Sequence, residues 1–164
     1  QKGLNPRILN DVVDVNYDRR RDVPKQVEKL LGGDLKGKTV GMLGLAFKEN
    51  TDDMRDAPSV DISNALIAAG AKVRAYDPVA REAAAPHMPA VEIVSDVYEM
   101  AKGCDAMVVV TPWNEFKQID LEKMKGLLKS PVIYDGRNIY DPARMYEMGF
   151  TYRAIGRPSQ NGRA

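Results

Sequence analysis

The apolar positions in the first part of the chain recur at steps of three and four residues, which predicts a long helix from about Asn5 to Leu31. Gly32-Gly33 ends the run, and Pro24 lies inside it, so we expect a kink or a break near Asp22. Such a helix is too apolar to stand alone, and we expect a second domain or a second subunit to cover part of it. Its apolar members are Ile8, Leu9, Val12, Val13, Val15, Val23, Val27, Leu30 and Leu31.

From Lys38 onward, short apolar runs alternate with segments of helical periodicity. The predicted strands are Thr39–Leu43, Lys72–Tyr76, Val91–Val94, Asp105–Thr111, Pro131–Tyr134 and Phe150–Ile155. The predicted helices are Ser59–Ala69, Asp96–Lys102, Leu121–Leu128 and Pro142–Met148. This order is typical of an α/β fold, a Rossmann-like doubly wound parallel sheet, here preceded by the long N-terminal helix. Ligands of such sheets bind beyond the carboxyl ends of the strands, so the loops after the strands should carry the function.

Net charge and composition limit the classes of partner that we expect this protein to bind. The 164 residues are 44% hydrophobic and 29% charged, which suits one globular domain, and the net charge of +1 provides no overall field for nucleic acid or an anionic membrane. No apolar run approaches the roughly 20 residues of a membrane span. No signal peptide is apparent and the first residue is Gln, so we expect a cytoplasmic protein and a fragment of a longer chain. Any cationic site must be local.

The reactive side chains are few. Cys104 is the single cysteine, which excludes an internal disulfide and a metal site of several thiolates. It precedes the Asp105–Thr111 strand, at the edge opposite the predicted site, and is interpreted as a packing residue. His87, in a Pro-rich stretch, is interpreted as a surface loop histidine. No catalytic or metal-ligating set can be assembled, so we expect a domain that binds without catalysing.

The loop after the first strand resembles a dinucleotide-binding loop only in part. Gly41 and Gly44 are spaced nearly as in that motif, but the G-x-G-x-x-G pattern is missing. The next helix begins only at Pro58, although a helix that holds a pyrophosphate must follow the glycines closely. Asp77 ends the second strand, where a ribose-binding acid is expected, but it lies too far along the chain from the glycines. NAD binding in the ordinary Rossmann manner is therefore disfavoured.

The polar residues 47–57 of this loop are instead a candidate anion site. A loop of this length between a strand and a helix is uncommon unless it is functional. Lys48 offers a point charge for a phosphate and Arg55 a rigid fork. The alternative is a solvated connection whose charges pair with one another.

A second candidate loop, Tyr134–Asn138, follows the fifth strand. Gly136 allows a tight turn that directs Arg137 over the same sheet edge, and arginine suits bidentate contact with phosphate. The alternative is a surface arginine paired with Asp135 or Asp141. Cations on neighbouring strand ends, Lys48 and Arg137, would fit a diphosphate. Trp113 and Phe116 either flank a base at this edge or pack against a helix.

These motifs together resemble the UDP-glucose/GDP-mannose dehydrogenase family over nearly the whole chain. The most specific is Gly44–Ser59 (GLAFKENTDDMRDAPS), which is similar to the signature that begins the family's C-terminal domain. Supporting matches are Tyr134–Asn138 (YDGRN), Ala75–Pro78 (AYDP), Val108–Trp113 (VVVTPW), and the helix containing Asn5 to Asn16, which is similar to the end of the family's central helix.

The resemblance implies an enzyme with an N-terminal NAD-binding domain, a central helical region that forms dimers, and a C-terminal domain that holds the UDP-sugar. Such enzymes oxidise the sugar C6 alcohol to a carboxylate with two NAD molecules, through a cysteine-bound intermediate. By position, Phe47 and Lys48 match substrate-binding residues and Arg137 matches an arginine that contacts the uridine diphosphate. Arg55 matches a residue that reaches NAD at the domain interface.

The chain departs from the family pattern where the chemistry occurs. The family's Gly-Phe-Gly-Gly-Ser-Cys motif is missing and Cys104 does not match it, so we expect this fragment to be inactive alone, with NAD bound mainly by another domain. We expect residues 1–34 to be the end of the dimerisation helix, giving a homodimer, 35–157 the Rossmann-like UDP-sugar-binding domain, and 158–164 a disordered tail. UDP-glucose is the favoured ligand. UDP-N-acetylglucosamine, UDP-N-acetylmannosamine or GDP-mannose, or a non-catalytic interaction module, are the alternatives.

Overall fold

The computed structural model describes residues 7–157 as a six-stranded, all-parallel sheet with helices on both faces. Its strand order, β3-β2-β1-β4-β5-β6, is that of a doubly wound Rossmann sheet, so the predicted fold class is confirmed. The strands are β1 (Thr39–Leu43), β2 (Lys72–Tyr76), β3 (Glu92–Ile93), β4 (Ala106–Val109), β5 (Val132–Asp135) and β6 (Thr151–Ala154). The helices are α1 (Arg7–Leu31), α2 (Pro58–Ala68), α3 (Arg81–Ala84), α4 (Val97–Ala101), α5 (Asn114–Lys117), α6 (Leu121–Leu127) and α7 (Pro142–Glu147).

The sheet separates two hydrophobic clusters. α1 and α2 cover one face, and α4, α6 and α7 contribute to the other. Neighbouring strand residues point to opposite faces, so Val108 of β4 packs on the α1–α2 side and Val109 on the other. All of β4 is buried, as the continuous apolar pattern of this central strand predicts.

The long helix divides into a docked half and an exposed half. Val23, Pro24 and Val27 are buried against the α1–α2 side of the sheet. In the first half, the apolar side chains of Ile8, Leu9, Val12, Val13 and Val15 are between 50% and 79% exposed. The second half of α1 therefore packs against the sheet across the predicted boundary between residues 1–34 and 35–157. The first half keeps the exposed apolar face that the sequence predicted.

Three details differ from the sequence prediction. A break near Asp22 is wrong, because α1 continues as one helix through Pro24, whose ring lies in the core and offsets the lost backbone hydrogen bond by burial. The one-turn helices α3 and α5 are too short to leave a periodic signal. His87 is exposed at the end of a 3₁₀ turn at Ala85–His87 and not in an irregular loop. The predicted disordered tail, 158–164, and the start of the predicted helix at Asn5 lie outside the described residues.

Candidate functional site

A cavity of about 430 Å³ opens at the carboxyl edge of the sheet, on the α1–α2 side. Its volume is in the range of small-molecule sites. The ends of β4 and β5, the loop after β1, the start of α2 and one side of α1 form its walls. The residues that line it include Asn16, Arg19, Arg20, Val23, Phe47, Lys48, Val110, Tyr134, Gly136 and Arg137.

The structure brings the three predicted substrate-binding residues together. Phe47 and Lys48 come from the loop after β1, and Arg137 comes from the loop after β5, yet all three line the one cavity. The prediction that these loops leave neighbouring strand ends is wrong, because β4 lies between β1 and β5. Val108, Val109 and Val110, at the end of β4, line the same cavity as the two loops.

A buried carboxylate holds the beginning of the first loop. Asp77, fully buried after β2, accepts hydrogen bonds from the backbone N–H groups of Leu45 (2.7 Å) and Ala46 (3.2 Å). It also accepts from the indole Nε1 of Trp113 at 3.1 Å. Its other oxygen accepts from the backbone of Val79 and Ala80. With five donors satisfied, this carboxylate has a structural role and is not free to bind a ribose.

The loop is closed on itself by further hydrogen bonds. The Phe47 N–H donates to the Asp53 carbonyl at 2.8 Å, which brings the two sides of the loop together. The Thr111 hydroxyl donates to the Ala46 carbonyl at 2.6 Å and so connects the loop to the end of β4. Gly44 has φ +89°, and a Cβ there would lie 2.4 Å from the Thr111 Cβ, so only glycine fits this close approach.

A second buried carboxylate forms the turn that carries Arg137. Asp135, the last residue of β5, accepts from the backbone N–H groups of Arg137 (2.9 Å) and Ile139 (2.8 Å). The same carboxylate accepts from the Tyr152 hydroxyl at 2.7 Å. Burial and this hydrogen bond to Asp135 both raise the pKa of Tyr152, so the hydroxyl remains a donor. The turn after β5 is therefore fixed by side chains below it.

The two candidate cations in the cavity are not neutralised by the protein. Over residues 7–157, no carboxylate lies within ion-pair distance of the Lys48 ammonium or the Arg137 guanidinium. The alternative pairing of the Arg137 guanidinium with Asp135 or Asp141 is not observed. From Arg137, Asp135 accepts the backbone N–H and not the side chain, and Asp141 accepts from the backbone of Arg144. Both charges are thus available to an anion.

Arg55 is placed apart from the cavity. Its side chain is 90% exposed and forms an ion pair with Asp53 at 2.7 Å. The hydrogen bonds from Arg55 lower the pKa of Asp53 to about 2. The interpretation in which the loop charges pair with one another therefore holds for Asp53 and Arg55, while Lys48 acts on Asp53 only through its charge and forms no ion pair with it.

The α1 wall of the cavity is the part that sequence reasoning missed. Arg20 lies between α1 and the start of α2, where its guanidinium binds the carboxylates of Asp56 and Asp61, each at 2.8 Å. The pKa of Arg20 is raised chiefly by its hydrogen bond to Asp56. Asp56 has a left-handed backbone, φ 53°, so this ion pair fixes a turn as well as a helix. The run Arg19–Arg21 was the only available sequence signal.

The remaining candidates have structural roles. Cys104 is buried, its thiol donates to the Met100 carbonyl, and burial raises its pKa to about 11, as the packing interpretation predicts. Trp113 and Phe116 are buried on the far side of the sheet and do not line the cavity, which decides for packing over base contact. Within 7–157, no group of three His, Cys, Asp or Glu side chains is arranged to hold a metal ion. Every helix in that range is too short or too polar to cross a membrane.

Comparison with known proteins agrees with the fold and the motifs. Residues 41–142 match the model of the UDP-glucose/GDP-mannose dehydrogenase family, UDP binding domain. A UDP-glucose 6-dehydrogenase of Rhizobium meliloti is 41% identical, over 93% of this chain and 35% of that protein. The chain thus spans about a third of the length of the curated relatives it matches.

Two solved structures extend the comparison to the fold. A UDP-glucose dehydrogenase from Pyrobaculum islandicum has a TM-score of 0.75 and 33% identity, covering 87% of this chain and 31% of that one. An NDP-N-acetyl-D-galactosaminuronic acid dehydrogenase from Methanosarcina mazei has a TM-score of 0.78 and 29% identity, covering 98% and 34%. The resemblance drawn from the sequence motifs is confirmed.

Proposed function

The chain belongs to the UDP-glucose/GDP-mannose dehydrogenase family, and from that premise we propose that it is the UDP-sugar-binding part of an NAD-dependent UDP-glucose 6-dehydrogenase. The observation that carries the proposal is the convergence of Phe47, Lys48 and Arg137 on one cavity. The whole enzyme would oxidise UDP-glucose to UDP-glucuronate. A related nucleotide sugar is the second candidate, because a structure with a similar fold is named for an N-acetylated sugar acid.

The chemistry of the cavity supports a nucleoside diphosphate. An ammonium and a guanidinium that lie outside ion-pair distance of every carboxylate in residues 7–157 attract phosphate oxygens, and the arginine can contact two of them at once. Phe47 is 42% exposed at the cavity, although a free phenyl ring favours burial, so a uracil or ribose face would cover it. Because Asp77 and Asp135 fix both loops before any ligand binds, little ordering entropy would be lost on binding.

NAD does not fit the sheet edge of this domain. The acidic residue at the end of β2, Asp77, is fully used by the protein, and the helix that should hold the pyrophosphate begins only at Pro58. We therefore assign NAD mainly to a further domain of the enzyme, where the catalytic cysteine would also lie. Arg55 is proposed to contact the cofactor from this side, since its side chain is exposed and does not line the cavity. This chain alone would bind substrate without oxidising it.

Calorimetric titration of the chain with UDP-glucose, GDP-mannose and NAD tests the proposal. We expect UDP-glucose to bind most tightly, and Lys48→Met and Arg137→Met each to weaken it by roughly tenfold or more, the loss of a charge-assisted contact. Lys72→Met and Arg144→Met are matched controls. Lys72 begins β2 at the opposite sheet edge and Arg144 lies on α7 beyond the far face, and both are exposed.

The result separates this proposal from its alternatives. Tighter binding of NAD than of UDP-glucose would reject the substrate-domain assignment. A non-catalytic interaction module would bind none of the nucleotides, and the Lys48 and Arg137 variants would behave like the controls. A preference for GDP-mannose would keep the domain assignment and change the sugar nucleotide.

A homodimer through α1 is the second part of the proposal. The exposed apolar side chains of its first half form the kind of surface that a partner covers. We expect the double variant Ile8→Ser with Val12→Ser to shift the chain toward monomer in sedimentation velocity. The matched control is Arg7→Ser with Asp11→Ser, which changes exposed polar residues of the same turns. Equal sedimentation of both variants and the unmodified chain would contradict the interface. A cytoplasmic location remains a prediction from the sequence.

A further inference from the structure

The long helix is a wall of the ligand cavity as well as a candidate interface. Asn16, Arg19, Arg20 and Val23 of α1 line the cavity together with the loops that carry Lys48 and Arg137. The family model begins at residue 41, and the sequence motifs extend along α1 only as far as Asn16, so neither includes Arg19, Arg20 or Val23. An α1 side chain that contacts the ligand would make the helix part of the binding site.

Three consecutive arginines of α1 have different surroundings. Arg20 is 11% exposed and is neutralised by Asp56 and Asp61, so it holds the helix in place and has little charge left for a ligand. Arg21 is exposed and does not line the cavity. Arg19 is exposed, lines the cavity, and has no carboxylate within ion-pair distance over residues 7–157.

The charges that act on the pKa of Tyr134 also indicate where Arg19 lies relative to the cavity wall. Tyr134 lines the cavity from the end of β5. Burial raises the pKa of Tyr134, the negative charges of Asp22 and Asp135 add to that rise, and the positive charges of Arg153 and Arg19 act against it. The Arg19 guanidinium is therefore close enough to act on a group in the cavity wall, in agreement with its own place in that wall.

We propose that Arg19 is a third phosphate-binding cation of the site, which contacts the nucleoside diphosphate from the α1 side. This inference rests on the proposed function and adds a binding residue to it. Each phosphate group of a sugar-linked diphosphate carries a negative charge, and Lys48 and Arg137 approach it from the loop side. A cation on the opposite wall neutralises the remaining field and encloses the anion. Because Arg20 anchors the same turn of α1, Arg19 is presented on a fixed backbone.

The test compares Arg19→Gln with Arg21→Gln in calorimetric titrations with UDP. Both variants lose the same charge from positions two residues apart on the same helix, and glutamine has nearly the helix propensity of arginine. A general loss of positive field therefore affects both equally. We expect Arg19→Gln to weaken UDP binding about tenfold, while Arg21→Gln changes the Kd by less than about twofold. Arg19→Lys should recover part of the affinity, because it restores the charge without the fork.

The outcomes distinguish this inference from the proposed function. If Arg137→Met weakens UDP binding but Arg19→Gln and Arg21→Gln do not differ, the role of Arg19 is overturned and the substrate domain stands. If the unmodified chain does not bind UDP, the proposed function fails and this inference fails with it. Equal thermal midpoints for the two glutamine variants are expected, since a structural effect of Arg19 on the helix would lower one of them.

Discussion

Asp77→Asn changes one atom of a buried carboxylate that connects three segments of the site. In the native protein, one oxygen accepts from the N–H groups of Leu45 and Ala46 and from the Trp113 indole, and the other accepts from Val79 and Ala80. An asparagine has a single oxygen that accepts, and its NH₂ group can only donate. One side of the new amide must therefore face N–H donors.

The free-energy cost is set by the amide orientation that leaves fewer N–H donors without an acceptor. With the amide oxygen facing Leu45, Ala46 and Trp113, the NH₂ group faces the N–H groups of Val79 and Ala80 and leaves both without an acceptor. A buried unsatisfied donor costs about 1–3 kcal/mol, and because the Ala80 N–H is buried while the Val79 N–H is only part-buried, the free energy of unfolding should fall by roughly 2–4 kcal/mol. This is a large part of the roughly 5–15 kcal/mol that stabilises a domain.

Equilibrium unfolding in urea measures the effect, and the protein contains its own probe. Trp113 is the only tryptophan and donates to Asp77, so its fluorescence reports the region that changes. Circular dichroism provides a second probe, and coincident transitions justify a two-state analysis. The matched control is Asp96→Asn, an exposed N-cap that accepts from two backbone N–H groups, where asparagine serves as well as aspartate.

The reasoning is refuted if Asp77→Asn destabilises the chain no more than Asp96→Asn does. That result would mean that the carboxylate is not the structural anchor of the Phe47–Lys48 loop. A ribose-binding role for Asp77 would give the opposite pattern, with unchanged stability and loss of NAD affinity. The same experiment therefore tests the argument that excludes NAD from this sheet edge.

Three further substitutions or reactions test other parts of the structure. Gly44→Ala should lower the thermal midpoint by an equivalent of about 3 kcal/mol, because its φ is +89° and its Cβ would meet the end of β4; an unchanged midpoint would contradict the close approach. Cys104, buried and with its pKa raised to about 11, should resist a thiol reagent at pH 8 until urea unfolds the chain, and rapid reaction of the native protein would contradict this. Arg20→Met should reduce unfolding free energy by about 1–2 kcal/mol in urea denaturation, with Arg21→Met as an unaffected control. The Arg20 effect should be present above about pH 4 and shrink below it, because pairing lowers the pKa of Asp56 and protonation removes its charge; a pH-independent difference would refute the pairing.

The pattern of strands and helices could be predicted from the sequence because it depends on local periodicity. The bounds of β1 and β2 were predicted as observed, and β4 was recognised from its continuous apolar run. Glycine spacing and the delayed start of α2 disfavoured a dinucleotide site, and the Lys48 and Arg137 loops were correctly placed at the carboxyl edge of a parallel sheet. These inferences need only chain direction and residue type.

Hydrogen bonds between side chains and distant segments of the chain could not be predicted in the same way. Nothing in the chain pattern indicates that Asp77 receives an indole and two loop N–H groups, or that Asp135 lies beneath the Arg137 turn. Each depends on which strands are neighbours and on the register between them, and the order in which β4 separates β1 from β5 was itself misjudged. Hydrogen bonds of this kind are set by packing in three dimensions.

The sequence by itself determined the family, the parallel sheet, the two candidate loops and the apolar face of the long helix, because each depends on local spacing or on a contiguous motif. The tertiary structure alone decided that α1 docks its second half beside the sheet and forms a cavity wall. It also decided which member of Arg19–Arg21 is neutralised, which lines the cavity and which faces solvent. The reason is physical: three adjacent arginines are equivalent along the chain, and only the docking angle of the helix gives each a different environment.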